Sequence, residues 1–370
     1  MRPRTPFLSL TICLLAALAL FSQDKKPGEK DEVIRIETQL VDVPIAVTAS
    51  TGQAVRGLKA SNFVVYEDGK PQEIADFSTT TEPFEVALVL DTSGSTRSDL
   101  QLIQRAAQYF VDSLRPGDRV AVVAFKTERT QTQAYAVSEV LSYLTDDRKQ
   151  LRAAIDNTQM SNGTPYYDSL LQVAEKVFRD KPKEEFRGRR ALVALTDGVD
   201  SSSVGDFVAA KAELEQQGVI SFFVRVDTRD YFEQDLLGDC QSAIHFSGAQ
   251  IRRYYRSMKS KAGLEKAVNF CQLGDFERLA ISKKLYEIAD TEMNDLAKTS
   301  GGKVFPLDDL ADARTAFKSV AEELGTKYTL GYYPTNDKKD GTYRKIKVEI
   351  KGLPKGTMVR ARDGYTAPQN

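Results

Sequence analysis

The fold is decided by one stretch in the first third of the chain, Val86-Ala87-Leu88-Val89-Leu90-Asp91-Thr92-Ser93-Gly94-Ser95. Its first half is a continuous apolar run, the pattern of a parallel strand that is buried on both faces. Its second half places a carboxylate and hydroxyls at the carboxyl end of that strand, where open α/β sheets bind their ligands. These oxygens suit a hard divalent cation such as Mg²⁺. The stretch therefore predicts a metal-binding loop on an α/β sheet.

The chain after this stretch alternates between apolar strands and amphipathic helices. Strands are expected at 84–90, 120–125, 191–195 and 219–226, with helical periodicity between them. Such alternation is typical of a doubly wound, mostly parallel sheet flanked by helices. The segment 228–282 breaks the rhythm, so we expect it to be an insertion beside the ligand-binding edge.

Both ends of the predicted folded region have β character instead. In residues 31–80, alternating apolar positions and the turn Asp68-Gly69 predict strands and a hairpin, and Pro44 places the first strand at a sheet edge. Residues 340–366 alternate in the same way. Neither segment can bury a core alone, so we expect the two to pair in one discontinuous β-sandwich-like unit. The α/β domain would then occupy 84–334.

Charge and the N-terminus restrict the class of protein. The net charge of −1 argues against nucleic acid as a partner. Arg2 and Arg4, followed by an apolar run that ends at Phe21, predict a signal peptide over residues 1–22 and export to the periplasm, the cell envelope or the medium. The alternative is a retained anchor, although the run is short for a membrane span. No later segment has the apolar length of a transmembrane helix.

Signal cleavage would leave two cysteines, Cys240 and Cys271, both within the insertion. In an oxidising compartment they can form one disulfide, and the alternative is two buried thiols. The insertion also carries a basic and aromatic string, which is either a solvated helix face or a contact for an anionic partner. Its members are Arg252, Arg253, Tyr254, Tyr255 and Arg256.

Three separated motifs resemble a known metal site. Asp91-x-Ser93-x-Ser95, Thr164 in Gly163-Thr164-Pro165, and Asp197 in Thr196-Asp197-Gly198 have the order and context of the metal-ion-dependent adhesion site of a von Willebrand factor type A domain. This resemblance implies Mg²⁺, or alternatively Mn²⁺ or Ca²⁺, together with a protein partner whose Asp or Glu completes the coordination. The residues it implies for the metal are Asp91, Ser93, Ser95, Thr164 and Asp197. The structural alternative is that the hydroxyls cap helices and Asp197 belongs to a turn.

The wider chain resembles an exported bacterial family with a type A domain, known mainly from acidobacterial genomes. The resemblance lies in the metal-site motifs and in the stretches 66–72, 328–334 and 360–365. The insertion is the least similar part.

These observations favour a binding protein over an enzyme. The chain shows no paired nucleophile and base, and its single histidine lies in the insertion. The leading hypothesis is an exported, metal-dependent protein-binding module that serves adhesion or interaction. The alternatives are an envelope assembly or scaffold factor with a structural metal and, less favoured, a metal-assisted hydrolase. The sequence leaves the partner, the ion and the oligomeric state open.

Overall fold

The computed structural model describes residues 40–51, 53–79, 82–94, 100–259 and 270–369. The predicted signal peptide, residues 1–22, lies outside these described residues. Within them, no helix is both long and apolar enough to cross a membrane.

The described residues form a mixed α/β structure of strands and helices, numbered here in chain order. The strands are β1 (Val41–Thr48), β2 (Phe63–Glu67), β3 (Lys70–Gln72), β4 (Ile74–Ser78), β5 (Glu85–Leu90), β6 (Arg119–Arg129), β7 (Ala134–Thr145), β8 (Arg190–Thr196), β9 (Ile220–Val226), β10 (Lys303–Leu307), β11 (Tyr328–Tyr332), β12 (Tyr343–Ile350), β13 (Met358–Ala361) and β14 (Gly364–Thr366). The α-helices are α1 (Leu100–Ser113), α2 (Arg148–Asp156), α3 (Tyr166–Gln172), α4 (Phe207–Gln216), α5 (Arg229–Leu236), α6 (Gly248–Ser257), α7 (Asp275–Ser300) and α8 (Ala313–Leu324).

The α/β part is built on a sheet with the strand order β10-β9-β8-β5-β6-β7. All neighbours are parallel except β7, which pairs antiparallel with β6. This confirms the predicted doubly wound, mostly parallel sheet. The chain runs from β5 to β6 on one side and later returns to β8 on the other. The carboxyl end of β5 therefore lies at the point where the strand order reverses, which is the usual ligand position in such sheets.

Helices cover both faces of this sheet, and β5 is buried along its whole length. Its side chains alternate between two cores because successive residues of a strand point to opposite faces. Val86, Leu88 and Leu90 join the core under α1, α2 and α8. Ala87 and Val89 join the core under α3, α4 and α7. The continuous apolar run is thus explained by burial on two sides.

The terminal segments form two antiparallel sheets, β13-β1-β11-β4 and β14-β12-β2-β3, that share one apolar core. Because β1 pairs with β13 and β2 pairs with β12, the predicted discontinuous β unit is confirmed. The hairpin is also present, with positive φ at Asp68 and Gly69 between β2 and β3.

Two details of this β unit differ from the expectation. The sequence predicts residues 328–334 as part of the α/β domain, but β11 pairs with β1 and β4, and Tyr328 packs against Phe63 and Phe77. The predicted edge position of β1 is wrong, since β1 has β11 on one side and β13 on the other. Its proline is tolerated because the ladder with β13 begins only at Ile45, one residue after Pro44.

The predicted insertion folds into helices with a small core of their own. Leu236, Phe246 and Ile251 pack against Ile281 and Leu285 of α7, which begins inside the predicted 228–282 segment. Cys240 and Cys271 form a disulfide with a Cα–Cα distance of 5.4 Å, in agreement with the expected pairing. The insertion is therefore cross-linked internally by the disulfide and packs against α7.

Candidate metal centre

Three loops that carry the predicted metal-binding residues meet at the carboxyl edge of the central sheet. The Asp91 N–H donates to the Leu195 carbonyl at 3.0 Å, which joins the ends of β5 and β8. The Ser161 N–H donates to the Thr92 carbonyl at 2.8 Å, which brings in the loop before α3. Backbone hydrogen bonds thus hold the three motifs together, although they are far apart in sequence.

The predicted residues converge where these loops meet. Ser93, Thr164 and Asp197 line one cavity of about 330 Å³. Asp91 is fully buried, and one of its oxygens accepts from the Ser93 hydroxyl at 2.5 Å and from the Ser93 N–H at 3.0 Å. Ser95 lies outside the described residues, so its place remains a prediction.

The Thr164 loop is fixed by the loop that follows Asp197. The Thr164 N–H donates to the Ser201 hydroxyl at 2.8 Å, and the Ser201 N–H donates to the Thr164 carbonyl at 3.0 Å. Pro165 follows at the start of α3, a position where the missing N–H of proline costs nothing. Both backbone polar groups of Thr164 are therefore engaged, and the residue lines the cavity.

Three residues outside the predicted set support the two carboxylates, two of them directly and one through a neighbouring hydroxyl. The Thr196 hydroxyl donates to Asp91 at 2.6 Å. The Thr228 hydroxyl lies 2.6 Å from an Asp197 oxygen and 2.8 Å from the Tyr286 hydroxyl. The positions of the threonines at or just after the ends of β8 and β9 are the signal that could have identified them. Tyr286 comes from α7 and gave no such signal.

The electrostatics of the centre favour a bound cation. Burial, and then the negative charge of Asp197, raise the pKa of Asp91 to about 7, while hydrogen bonds from Ser93 and Thr196 act in the opposite direction. Two carboxylates brought together away from water disfavour each other's ionised form, and a divalent cation between them would reverse this effect. The available oxygens fit such an ion.

The donor set also indicates which kind of ion fits. Among the described residues, no cluster of three or more His, Cys, Asp and Glu side chains is placed to hold a metal. The centre instead combines two carboxylates with neutral hydroxyls. All of these donors are oxygens, which hard divalent cations prefer, so the set is consistent with that class of ion.

The insertion forms one wall of the metal cavity. Tyr231, Phe232, His245 and Phe246 line it from that side. His245 stacks on Phe270 at a centroid distance of 4.3 Å, and its Nε2 lies 2.7 Å from the Cys240 carbonyl. The histidine thus has a packing role within the insertion, at the lining of the cavity.

A larger groove of about 940 Å³ adjoins this cavity. The two share lining residues, among them Gly163, Ser201 and Phe246, and the groove continues between the start of β7 and the residues of α3. Exposed apolar side chains occur along both openings, with Val204 98% exposed and Tyr231 71% exposed. The cavity lined by the predicted metal-binding residues therefore adjoins a surface depression of larger volume.

The basic and aromatic string of α6 divides into inward and outward residues. Arg253 contacts Asp200 and lies over the Tyr167 ring, and the Tyr255 hydroxyl donates to Glu277. Tyr254 is half-buried, whereas Arg252 and Arg256 are exposed. Partner contact remains a prediction for this string, and the structure leaves mainly its two outer arginines accessible for it.

A family comparison covers the part of the chain that contains these loops. Residues 86–199 match the model of the von Willebrand factor type A domain. The chain contains a von Willebrand factor type A domain. The matched range includes every described residue of the predicted metal set, and it ends close to Asp200.

Solved structures with a similar chain path include other type A domains. A von Willebrand factor type A protein from Catenulispora acidiphila is 12% identical, with 90% of this chain and 75% of that chain covered and a TM-score of 0.42. The conserved hypothetical protein BatB from Bacteroides thetaiotaomicron is 15% identical, with 65% and 98% covered and a TM-score of 0.40. A comparison with curated proteins gave no match.

One further similar structure is of a protein with an occupied metal site. It is proximal thread matrix protein 1 from the mussel byssus with a zinc-occupied MIDAS motif, which is 14% identical with a TM-score of 0.40. The alignment covers 66% of this chain and 48% of the mussel protein, so this chain spans about half the length of that protein.

Proposed function

We propose that this protein is an exported, metal-dependent protein-binding module, which docks an acidic group of a partner onto a divalent cation, with Mg²⁺ as the expected ion. The observation that carries the proposal is the convergence of Ser93, Thr164 and Asp197 on one cavity, with buried Asp91 behind them. In this proposal Ser95 completes the set of metal-binding residues.

The residue types suit a docking role for the metal. Hydroxyl ligands are neutral, so a cation held largely by hydroxyls and water keeps much of its positive charge. When bound, it would supply electrostatic attraction for an incoming carboxylate. The chain's own residues would orient it: Thr196 holds the Asp91 carboxylate, and Thr228 holds the Asp197 carboxylate.

The surroundings favour a macromolecular partner over a free acid. The groove beside the cavity offers about 940 Å³, far more than one carboxylate group occupies. Its opening carries the exposed apolar residue Val204, and exposed apolar patches on soluble domains often mark protein contacts. An extended segment of a partner could place its acidic side chain at the metal and its flanking residues in the groove.

Export is part of the proposal and is supported by the disulfide. Disulfides persist mainly in oxidising compartments, and Cys240 and Cys271 are joined here. The predicted signal peptide at residues 1–22 agrees with that location.

The proposal is tested by removing one predicted ligand without changing its shape. Thr164→Val keeps the branched side chain and removes the hydroxyl, and Thr315→Val is the matched control on the exposed face of α8. Titration calorimetry with Mg²⁺ and Mn²⁺ measures metal binding, and a pull-down from cell-envelope extract with and without EDTA measures capture. We expect Thr164→Val to lose metal binding and EDTA-sensitive capture, while the control behaves as wild type. Equal capture by both variants would refute the proposal.

The same experiment separates the alternatives. A scaffold factor with a structural metal would show a higher melting temperature with Mg²⁺ but intact capture after Asp197→Ala. A metal-assisted hydrolase would show turnover that EDTA abolishes.

The groove has its own test. Lys176 is exposed and lines the groove, whereas Lys181 is exposed and does not line it. For an acidic partner, Lys176→Glu should weaken capture severalfold with unchanged Mg²⁺ affinity, because like charges slow association. Lys181→Glu is the control. Capture that is equally strong with both variants would remove the groove from the docking surface.

A further inference from the structure

Asp200 links the two loops that carry Thr164 and Asp197. It lies three residues after Asp197 in the chain and its side chain is fully buried. One of its carboxylate oxygens accepts from the Tyr167 N–H at 3.2 Å, and Tyr167 lies three residues after Thr164. The same oxygen accepts from the Ser203 hydroxyl. The Asp200 carboxylate thus joins the start of α3 to the loop that follows β8.

Arg253 reaches this carboxylate from the insertion. Its guanidinium donates to the Asp200 carbonyl at 3.1 Å and to the second Asp200 carboxylate oxygen at 3.3 Å. It also lies 4.7 Å from the centroid of the Tyr167 ring, whose hydroxyl donates to Glu292 of α7 at 2.6 Å. One side chain therefore contacts both metal-site loops. A buried carboxylate needs such a partner, because an uncompensated buried charge is costly.

The helix that carries Arg253 is itself firmly held. α6 begins with a capping box formed by Ser247 and Gln250, and its inner face joins the core of the insertion. The disulfide closes that insertion, and the Tyr255 hydroxyl donates to Glu277 on α7. Arg253 is thus presented from a rigid support, as a residue that positions others needs to be.

We propose that Arg253 is a positioning residue, through which the insertion holds the Thr164 and Asp197 loops in the geometry that binds the cation. The inference rests on the proposed metal-dependent function and adds a role for the insertion in it. Groups that orient metal ligands from outside the coordination sphere typically change metal affinity by about 10–100-fold when they are removed. We expect an effect in that range.

The experiment measures Mn²⁺ affinity of the full mature protein by titration calorimetry, well below the melting temperature. Arg253→Met removes the charge and both hydrogen bonds, and Arg252→Met is the control on the exposed side of the same helix. Arg253→Lys keeps the charge but not the planar fork of donors. We expect Arg253→Met to bind Mn²⁺ about 10–100-fold more weakly, Arg253→Lys to recover part of this loss, and Arg252→Met to match wild type.

Hydrogen exchange in the metal-free protein supplies a second readout. The Tyr167 amide, which donates to Asp200, should exchange faster in Arg253→Met and at the wild-type rate in Arg252→Met. Equal Mn²⁺ affinity of the two methionine variants would overturn the positioning role while leaving the proposed function standing. If Arg253→Met does not fold, undiminished Mn²⁺ affinity of Arg253→Lys would overturn it in the same way. A wild-type protein that binds no Mn²⁺ would overturn the proposed function and this inference together.

Discussion

Replacing Asp91 by asparagine should stabilise the metal-free protein at neutral pH while abolishing metal binding. Asp91 is fully buried, and its pKa is raised from 3.8 to about 7, first by burial and then by the charge of Asp197. The folded protein without metal therefore holds a carboxylate whose ionisation is unfavourable. Asparagine has nearly the same shape as aspartate but no charge. The substitution therefore removes the buried negative charge and, with it, the carboxylate that is predicted to bind the metal.

The magnitude follows from the linkage between the pKa and folding. The pKa of Asp91 is about 7 in the folded state and 3.8 in the unfolded chain. This difference changes the free energy of unfolding by about 4 kcal/mol between low and high pH, at ~1.4 kcal/mol per pKa unit. The folded state binds the proton more tightly, so this contribution to stability is fully present below pH ~4. It is lost as the pH rises through about 7. Asparagine accepts one hydrogen bond fewer, at a cost of ~1 kcal/mol, which leaves a net gain of about 3 kcal/mol at pH 8.

Urea unfolding in EDTA from pH 4 to pH 8 measures this difference, and subtracting the two proteins cancels the titrating groups that do not interact with Asp91. We expect Asp91→Asn to be slightly less stable than wild type at pH 4 and clearly more stable at pH 8. In saturating Mg²⁺ the order at pH 8 should reverse, because only wild type binds the ion. Asp230→Asn, at a side chain that is 87% exposed, is the control. A stability difference between wild type and Asp91→Asn that stays constant with pH would refute the reasoning.

Three further predictions concern groups that support the site and the fold. Thr228→Val removes the hydroxyl beside Asp197, so Mn²⁺ affinity in calorimetry should fall about 10–100-fold with an unchanged circular dichroism spectrum. Replacing both cysteines of the disulfide by serine should lower the free energy of unfolding in urea by about 3–4 kcal/mol, since the bond spans a sequence separation of 31; no loss under oxidising conditions would contradict this. Glu67→Ala removes the buried carboxylate that pairs with Arg344 and leaves the more distant Asp340 beside it, so thermal and urea unfolding should show a loss of about 3–5 kcal/mol, whereas a loss below 1 kcal/mol would contradict the role of this pair.

The sequence predicted the α/β part well because its signals there are local. The apolar run before Asp91 is short and ends in turn-forming residues, which favours a strand buried on two sides, and helical spacing follows it. β7 and α2 received no prediction. β7 is an edge strand with many half-buried residues, so its sequence lacks both a continuous apolar run and clean alternation.

The terminal β unit shows what strand periodicity cannot determine. Residues 328–332 are all buried, a pattern that fits the central sheet as well as the sandwich. Their position was decided by non-local packing, in which Tyr332 and Tyr365 both donate to the buried carboxylate of Glu67. The stretches 66–72, 328–334 and 360–365 thus meet around the Glu67 carboxylate, where they close the sandwich.

For the metal site, the sequence by itself determined the residue types: oxygen donors placed where parallel strands end and helices begin. That information is local, because a strand end and a helix start can be read from a few neighbouring residues. Only the tertiary structure shows that Thr196 and Thr228 contact the carboxylates, that Tyr286 contacts Thr228, and that Arg253 of the insertion contacts Asp200 and Tyr167. Those contacts join residues far apart in the chain. Their geometry depends on how the helices and the insertion pack on the sheet, which no local pattern encodes.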